Sequence, residues 1–220
     1  MTKRTLVVLT AVVAIAAFAA AGWWVTDRDA GKAGAMVADA SRLVRPHSPI
    51  FGPKDAPVTI VEFLDPACET CRAFYPVVKD IMAEFPGQVR LVMRYTPLHQ
   101  GSDEVVRLLE AARLQGKFQP VLEAVLQGQP EWASHGAPRI ENAWKAAGAA
   151  GLDIARARAA LMAPEVTAVL EQDVSDSKAV GATKTPTFVV NGKHLPSFGA
   201  QQLYDLVESE YRAAHGKAGG

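Results

Sequence analysis

The chain carries two cysteines, Cys68 and Cys71, separated by Glu69-Thr70. Three chemistries use such a pair. A structural disulfide is one, but a bridge closing so short a loop removes little entropy from the unfolded chain and makes a poor staple. A structural zinc site is another, but it wants four ligands, and no second cysteine pair stands elsewhere in the sequence. The third is thiol–disulfide exchange, in which one sulfur is attacked and the other completes or releases the mixed disulfide. Exchange is the leading reading, with the staple and the metal site as the weaker alternatives. The five histidines, His47, His99, His135, His194 and His215, show no paired metal spacing, so neither a metal nor a cofactor is expected. His99 follows Tyr95-Thr96-Pro97-Leu98 and reads as a solvent-exposed loop residue, since surface loops collect polar side chains.

The surrounding elements put the pair where exchange works best. Val58 to Phe63 is β-branched and nearly continuous in apolar character, as suits a strand buried on both faces. Beyond Asp65-Pro66-Ala67 the period becomes helical, with Cys71, Phe74, Tyr75, Val78, Ile81 and Met82 on one face and Pro76 as a predicted kink. Cys68 therefore lies at a helix N-terminus, whose free amides and dipole favour an anion and lower the pKa of a thiol. Gln88 to Tyr95 alternates as a second strand, with Val89, Leu91 and Met93 on one side and Arg90 and Arg94 on the other. The result is a βαβ unit. Ser102, read as an N-cap, opens an alanine-rich helical stretch to about Val180, in which Trp132 and Trp144 read as core. Pro186 to Val190 restores strand character. Asn191-Gly192 marks a hairpin whose return strand is His194-Leu195-Pro196, and an amphipathic helix from Gln201 to Ala213 follows.

Strand, CxxC at a helix start, helical insertion and a Thr-Pro strand together resemble the DsbA-like branch of the thioredoxin superfamily. The segment Gly52-Pro53-Lys54-Asp55-Ala56-Pro57-Val58-Thr59-Ile60-Val61-Glu62-Phe63 is similar to that family's lead-in, and Gly181 to Gly192, with Thr185-Pro186-Thr187, to its later motif. The likeness runs from about Pro49 to Ala213. It implies an α/β, thioredoxin-like fold (βαβ…ββα) with an inserted α-helical subdomain. It further implies that Pro186 is a cis-proline beside the disulfide, the alternative being a trans-proline opening an edge strand. Thr185 would pair its backbone with an extended substrate. Glu62 would relay the proton of Cys71, or else be a carboxylate held in an ion pair. One departure stands out: relatives that are strong oxidants carry proline, and often histidine, between the cysteines. Glu69 would add a like charge beside the thiolate if it turned inward, so Glu69 and Thr70 tune the pair toward a milder oxidant, with reductase or isomerase left open.

The N-terminus sets the compartment. Lys3 and Arg4 precede an uncharged apolar run from Thr5 to Val25, expected to form a hydrophobic helix. Its 21 residues match the ~20 of a membrane span, and Trp23-Trp24 suit an interface. Ala17-Phe18-Ala19 and Ala19-Ala20-Ala21 equally suit signal-peptide cleavage. Residues 1–25 are thus a signal anchor or a signal peptide, and either places the rest in the periplasm or another extracytoplasmic space. Residues 26–50 read as a tether, 51–101 and 181–214 as the two parts of the thioredoxin-like domain, 102–180 as the helical insertion, and 215–220 as a flexible tail. Basic and acidic residues number 23 each, which argues against a nucleic-acid partner. The expected partners are extracytoplasmic cysteine-containing proteins, a membrane redox partner (oxidase or reductase) and the membrane itself through the N-terminal segment. A peptide-binding or chaperone module with a merely structural bridge is the non-enzymatic alternative.

Overall fold

In chain order the sheet and its first helix are β1 (Ile50–Phe51), β2 (Val58–Leu64), α1 (Glu69–Glu84) and β3 (Val89–Tyr95). The computed structural model describes residues 34–216, with Phe18 alone ahead of them. The anchor or signal peptide expected over 1–25 therefore lies outside the described residues, as do 217–220. No helix among the described residues is long and apolar enough to cross a membrane.

The helical block comprises α2 (Ser102–Leu114), α3 (Phe118–Gln127), α4 (Gln129–Trp132), α5 (Ile140–Ala149), α6 (Ile154–Ala160) and α7 (Pro164–Ala179). The chain ends with β4 (Thr187–Val190), β5 (Lys193–His194) and α8 (Ala200–Gly216). The sheet order is β1-β3-β2-β4-β5. β2 pairs parallel with β3 and antiparallel with β4, so it lies at the sheet's centre. That explains its unbroken apolar run: only Thr59 is less than fully buried. The fold is thioredoxin-like with a helical insertion.

Asn191 and Gly192 both take positive φ, 48° and 85°, which two-residue hairpins need to match strand twist. The return strand is Lys193–His194, slightly earlier than the sequence suggests, because Pro196 has no N–H to extend the ladder. In the insertion, Trp132 and Trp144 are buried, and each indole N–H finds an oxygen, Val125 O at 2.9 Å and Glu104 Oε1 at 2.8 Å.

Two expectations need correction. Part of the segment read as a tether is packed: Val37 and Leu43 join a core cluster with Val61, Phe63 and Val189, and Ile50–Phe51 adds an edge strand to β3. A single 3-10 turn at Ala40–Arg42 lies within that segment. Arg94, on the face of β3 opposite Leu91 and Met93, is buried. Its guanidinium is fully buried against α7, reaching Asp173 Oδ1 at 2.7 Å and Asp176 Oδ2 at 2.8 Å, while Arg45 meets Asp176 from the N-terminal segment. An alternating strand shows which residues share a face but not what covers it. Ser102 is the first residue of α2 rather than its cap, which is Gly101 at φ 80°. Its hydroxyl donates to the Asp65 carboxylate instead.

Candidate active site

β2 ends at Leu64, and Asp65-Pro66-Ala67 turns the chain into α1, with Cys68 as the N-cap residue in extended conformation. Both thiols are free; Cys68 keeps 6% of its surface and Cys71 none. This geometry separates two identical side chains chemically. The Cys71 thiol hydrogen-bonds to Cys68, and the side chain of Thr185 and the amides of Cys71 and Thr70 add to it, so despite burial the Cys68 thiol is brought down to about 5. Cys71 moves the opposite way. Burial first, then the neighbouring Cys68 and the charge of Glu62, push its thiol far above the ordinary range.

The edge facing Cys68 is the Thr185-Pro186 peptide, which is cis. The Cys68 thiol lies 3.2 Å from the Thr185 carbonyl oxygen, to which it donates when protonated. A groove of about 390 Å³ opens beside this contact, lined by Thr70, Thr185, Pro186, Phe188, Leu195 and Phe198 among others. Phe198 is 54% exposed there, its ring 4.6 Å from that of Phe74. An apolar groove next to a free backbone edge suits an extended peptide bound as an added strand.

Glu62 sits inside the sheet, opposite Met93 on β3 and Phe188 on β4. It is fully buried, and among the described residues neither carboxyl oxygen has a hydrogen-bond partner and no ion pair holds it. Burial, reinforced by Cys68, raises its pKa to about 8, so at neutral pH it carries a proton within Coulombic reach of both sulfurs.

Glu69, which could have turned toward the thiolate, points away. Its Oε1 lies 2.9 Å from His135 Nε2 at the surface. Its own amide, against a small burial effect and with help from His135, keeps its carboxyl below the usual range.

Two residues that hold the site escape sequence reasoning. Asp65 is buried, and its Oδ1 accepts from the Ala67 amide at 2.8 Å, while Oδ2 accepts from the amides of Leu98 and His99 and from His99 Nδ1, each within 2.7–2.9 Å. One carboxylate thus ties the cysteine turn to the loop after β3. His99 is accordingly not a free loop residue. Gln129, on α4, donates through Nε2 to the carbonyls of Pro66 at 2.8 Å and Cys68 at 3.0 Å, so the insertion clamps the same turn. Asp65-Pro66 directly before the pair was a usable hint, since Asp favours turns. Nothing local marked Gln129.

A family model described as Thioredoxin matches residues 45–208. A thioredoxin-like oxidoreductase from Silicibacter pomeroyi DSS-3 is 32% identical, with a TM-score of 0.67 over 78% of this chain and 97% of that one. The α-DsbA1 of Wolbachia pipientis shares the fold at 18% identity, with a TM-score of 0.70 over 80% of this chain and 96% of that one. The chain belongs to the thioredoxin family, and over most of its length it is similar to a thioredoxin-like oxidoreductase. A Na(+)/H(+) antiporter NhaA of Herminiimonas arsenicoxydans is 33% identical over 87% of this chain, yet the chain spans only 31% of that protein's length.

Proposed function

We propose that this oxidoreductase works outside the cytoplasm as an oxidant, passing its Cys68–Cys71 disulfide to cysteine-containing proteins. The observation that carries the direction is the asymmetry of the reduced pair, a stabilised Cys68 thiolate hydrogen-bonded by a buried Cys71 thiol. Stabilising the reduced form makes its disulfide the stronger electron acceptor. A substrate thiolate, lying along Thr185 in the groove, attacks Cys68; the Cys68–Cys71 bond breaks and the electron pair leaves on Cys71. Glu62, protonated at neutral pH, supplies the proton that Cys71 takes. A second substrate thiolate then attacks the substrate sulfur of the mixed disulfide, and Cys68 departs as a thiolate. The substrate loses two electrons to form its disulfide, and the enzyme ends reduced, with Cys68 as thiolate and Cys71 as thiol, while Glu62 regains its proton from solvent.

Reoxidation falls to a membrane oxidase. Two features support work at a membrane surface: the apolar N-terminal run behind Lys3-Arg4, and the homologous stretch within a protein named for sodium–proton antiport. The deciding experiment equilibrates the pair with glutathione. The oxidant reading expects a potential well above the thioredoxin value of about −270 mV, toward −120 mV; a value near −270 mV would sink it in favour of a reductase. Cys68→Ser should abolish exchange, whereas a peptide-binding module would keep its function.

A further inference from the structure

Cys68 lacks a histidine between the cysteines, yet a histidine reaches its neighbourhood from elsewhere in the fold. His99 Nδ1 lies 2.7 Å from Asp65 Oδ2, and the other oxygen of that carboxylate holds the Ala67 amide next to Cys68. Asp65 is buried and fixes His99 at both ends, through its backbone N–H at 2.9 Å and through its ring. The His135 ring stands 5.9 Å away from that of His99 and is itself engaged by Glu69.

We propose that His99 is a positioning residue for the exchange reaction: held by Asp65, its imidazolium offsets that buried carboxylate and stabilises the Cys68 thiolate of the reduced enzyme. The ionisable groups near the cysteine turn come from several elements. Asp65, just after β2, holds the turn beside Cys68, Glu69 at the start of α1 is turned to the surface, and Glu62 on β2 lies within Coulombic reach of the sulfur, so the thiolate forms among carboxyl groups and a nearby cation favours it. Two imidazoles approach, His99 from the loop after β3 and His135 from the insertion. His135 is spent on Glu69 at the surface, which leaves His99 for Asp65 and Cys68. Burial opposes the charge on His99, but its bond to Asp65 and the charges of Asp65, Cys68 and Glu69 overcome this and raise its pKa. The role is one that the Glu69 and Thr70 side chains do not fill, and it adds a cation to the hydrogen bonds that already favour the Cys68 thiolate.

The inference rests on the redox reading of the pair, and its test separates the two. The equilibrium constant of the full chain against glutathione is measured at pH 6 and pH 9 for wild type, His99→Gln and His99→Lys. If His99 acts by charge, the Gln variant becomes less oxidising by about tenfold at pH 6, a potential drop of about 30 mV, and the loss shrinks as pH rises to 9 and the wild-type imidazole gives up its proton. The Lys variant, whose side chain starts from a partly exposed position, restores most of the loss at pH 6. An equal loss for both variants at both pH values would mean that His99 only shapes the loop, and no loss at pH 6 would remove it from the mechanism; either overturns the proposal. If the wild-type pair fails to equilibrate with glutathione, the redox reading fails first.

Discussion

Replacing Glu62 by Gln should make the reduced protein more stable at neutral pH, although it removes a residue placed in the reaction. The carboxyl is fully buried with both oxygens unpartnered, and burial, followed by the Cys68 thiolate, raises its pKa from 4.5 to about 8. Between these two values the unfolded chain has released the proton and the folded chain keeps it. Stability from this group is therefore complete below the unfolded value of 4.5 and falls as pH rises, levelling off only above pH 8. One pKa unit corresponds to about 1.4 kcal/mol, so the deficit at pH 7 is about 3 kcal/mol. Gln has nearly the same shape and does not titrate. Its advantage over wild type should be close to zero near pH 4.5 and grow to about 3 kcal/mol at pH 7. Urea denaturation of both reduced proteins at several pH values measures this. Cys68 also titrates in this range, with the opposite slope because its pKa is depressed, but that contribution cancels in the difference between the two proteins. A gap that stays constant from pH 5 to 8, or a variant less stable at pH 7, would refute the assignment of a neutral buried Glu62.

Other outcomes follow from the same geometry. The reduced wild type should show a single thiolate absorbance step near pH 5 at 240 nm, from Cys68, with Cys71 resisting alkylation at pH 7; two steps near the free-cysteine value would contradict the asymmetry. Arg94→Met should cost about 3–5 kcal/mol, because it leaves Asp173 and Asp176 buried without their main cation, and a loss below about 1 kcal/mol in urea would show that Arg45 and His47 suffice. Gln129→Leu should cost about 1–3 kcal/mol by leaving the Pro66 and Cys68 carbonyls unpaired, and amide exchange should quicken at the start of α1. Unchanged exchange there would show that α4 does not brace the turn.

Much of the fold was legible locally because the signals act within a few residues. The buried run Val58 to Phe63, the switch to a helical period at Cys71, and Asn191-Gly192 with its two positive φ angles each carry their own physics. Pro186 and Glu62 were legible only through resemblance, since nothing beside them in the chain says cis bond or unpartnered carboxyl.

What the sequence determined by itself was the chemistry: two sulfurs three residues apart at a strand-to-helix junction, one at the helix's anion-favouring end. Tertiary structure decided which charges surround them. Glu69 could have faced the thiolate, but it lies at the surface, where it meets His135, 66 residues later. Asp65 meets the ring of His99 34 residues on, Gln129 reaches back 61 to the carbonyl of Cys68, and Asp173 covers Arg94 from 79 away. Periodicity reports which face a side chain takes, but ion pairs and clamps depend on which distant element is packed against that face. That choice is made by the whole core, and with it the acidity of Cys68.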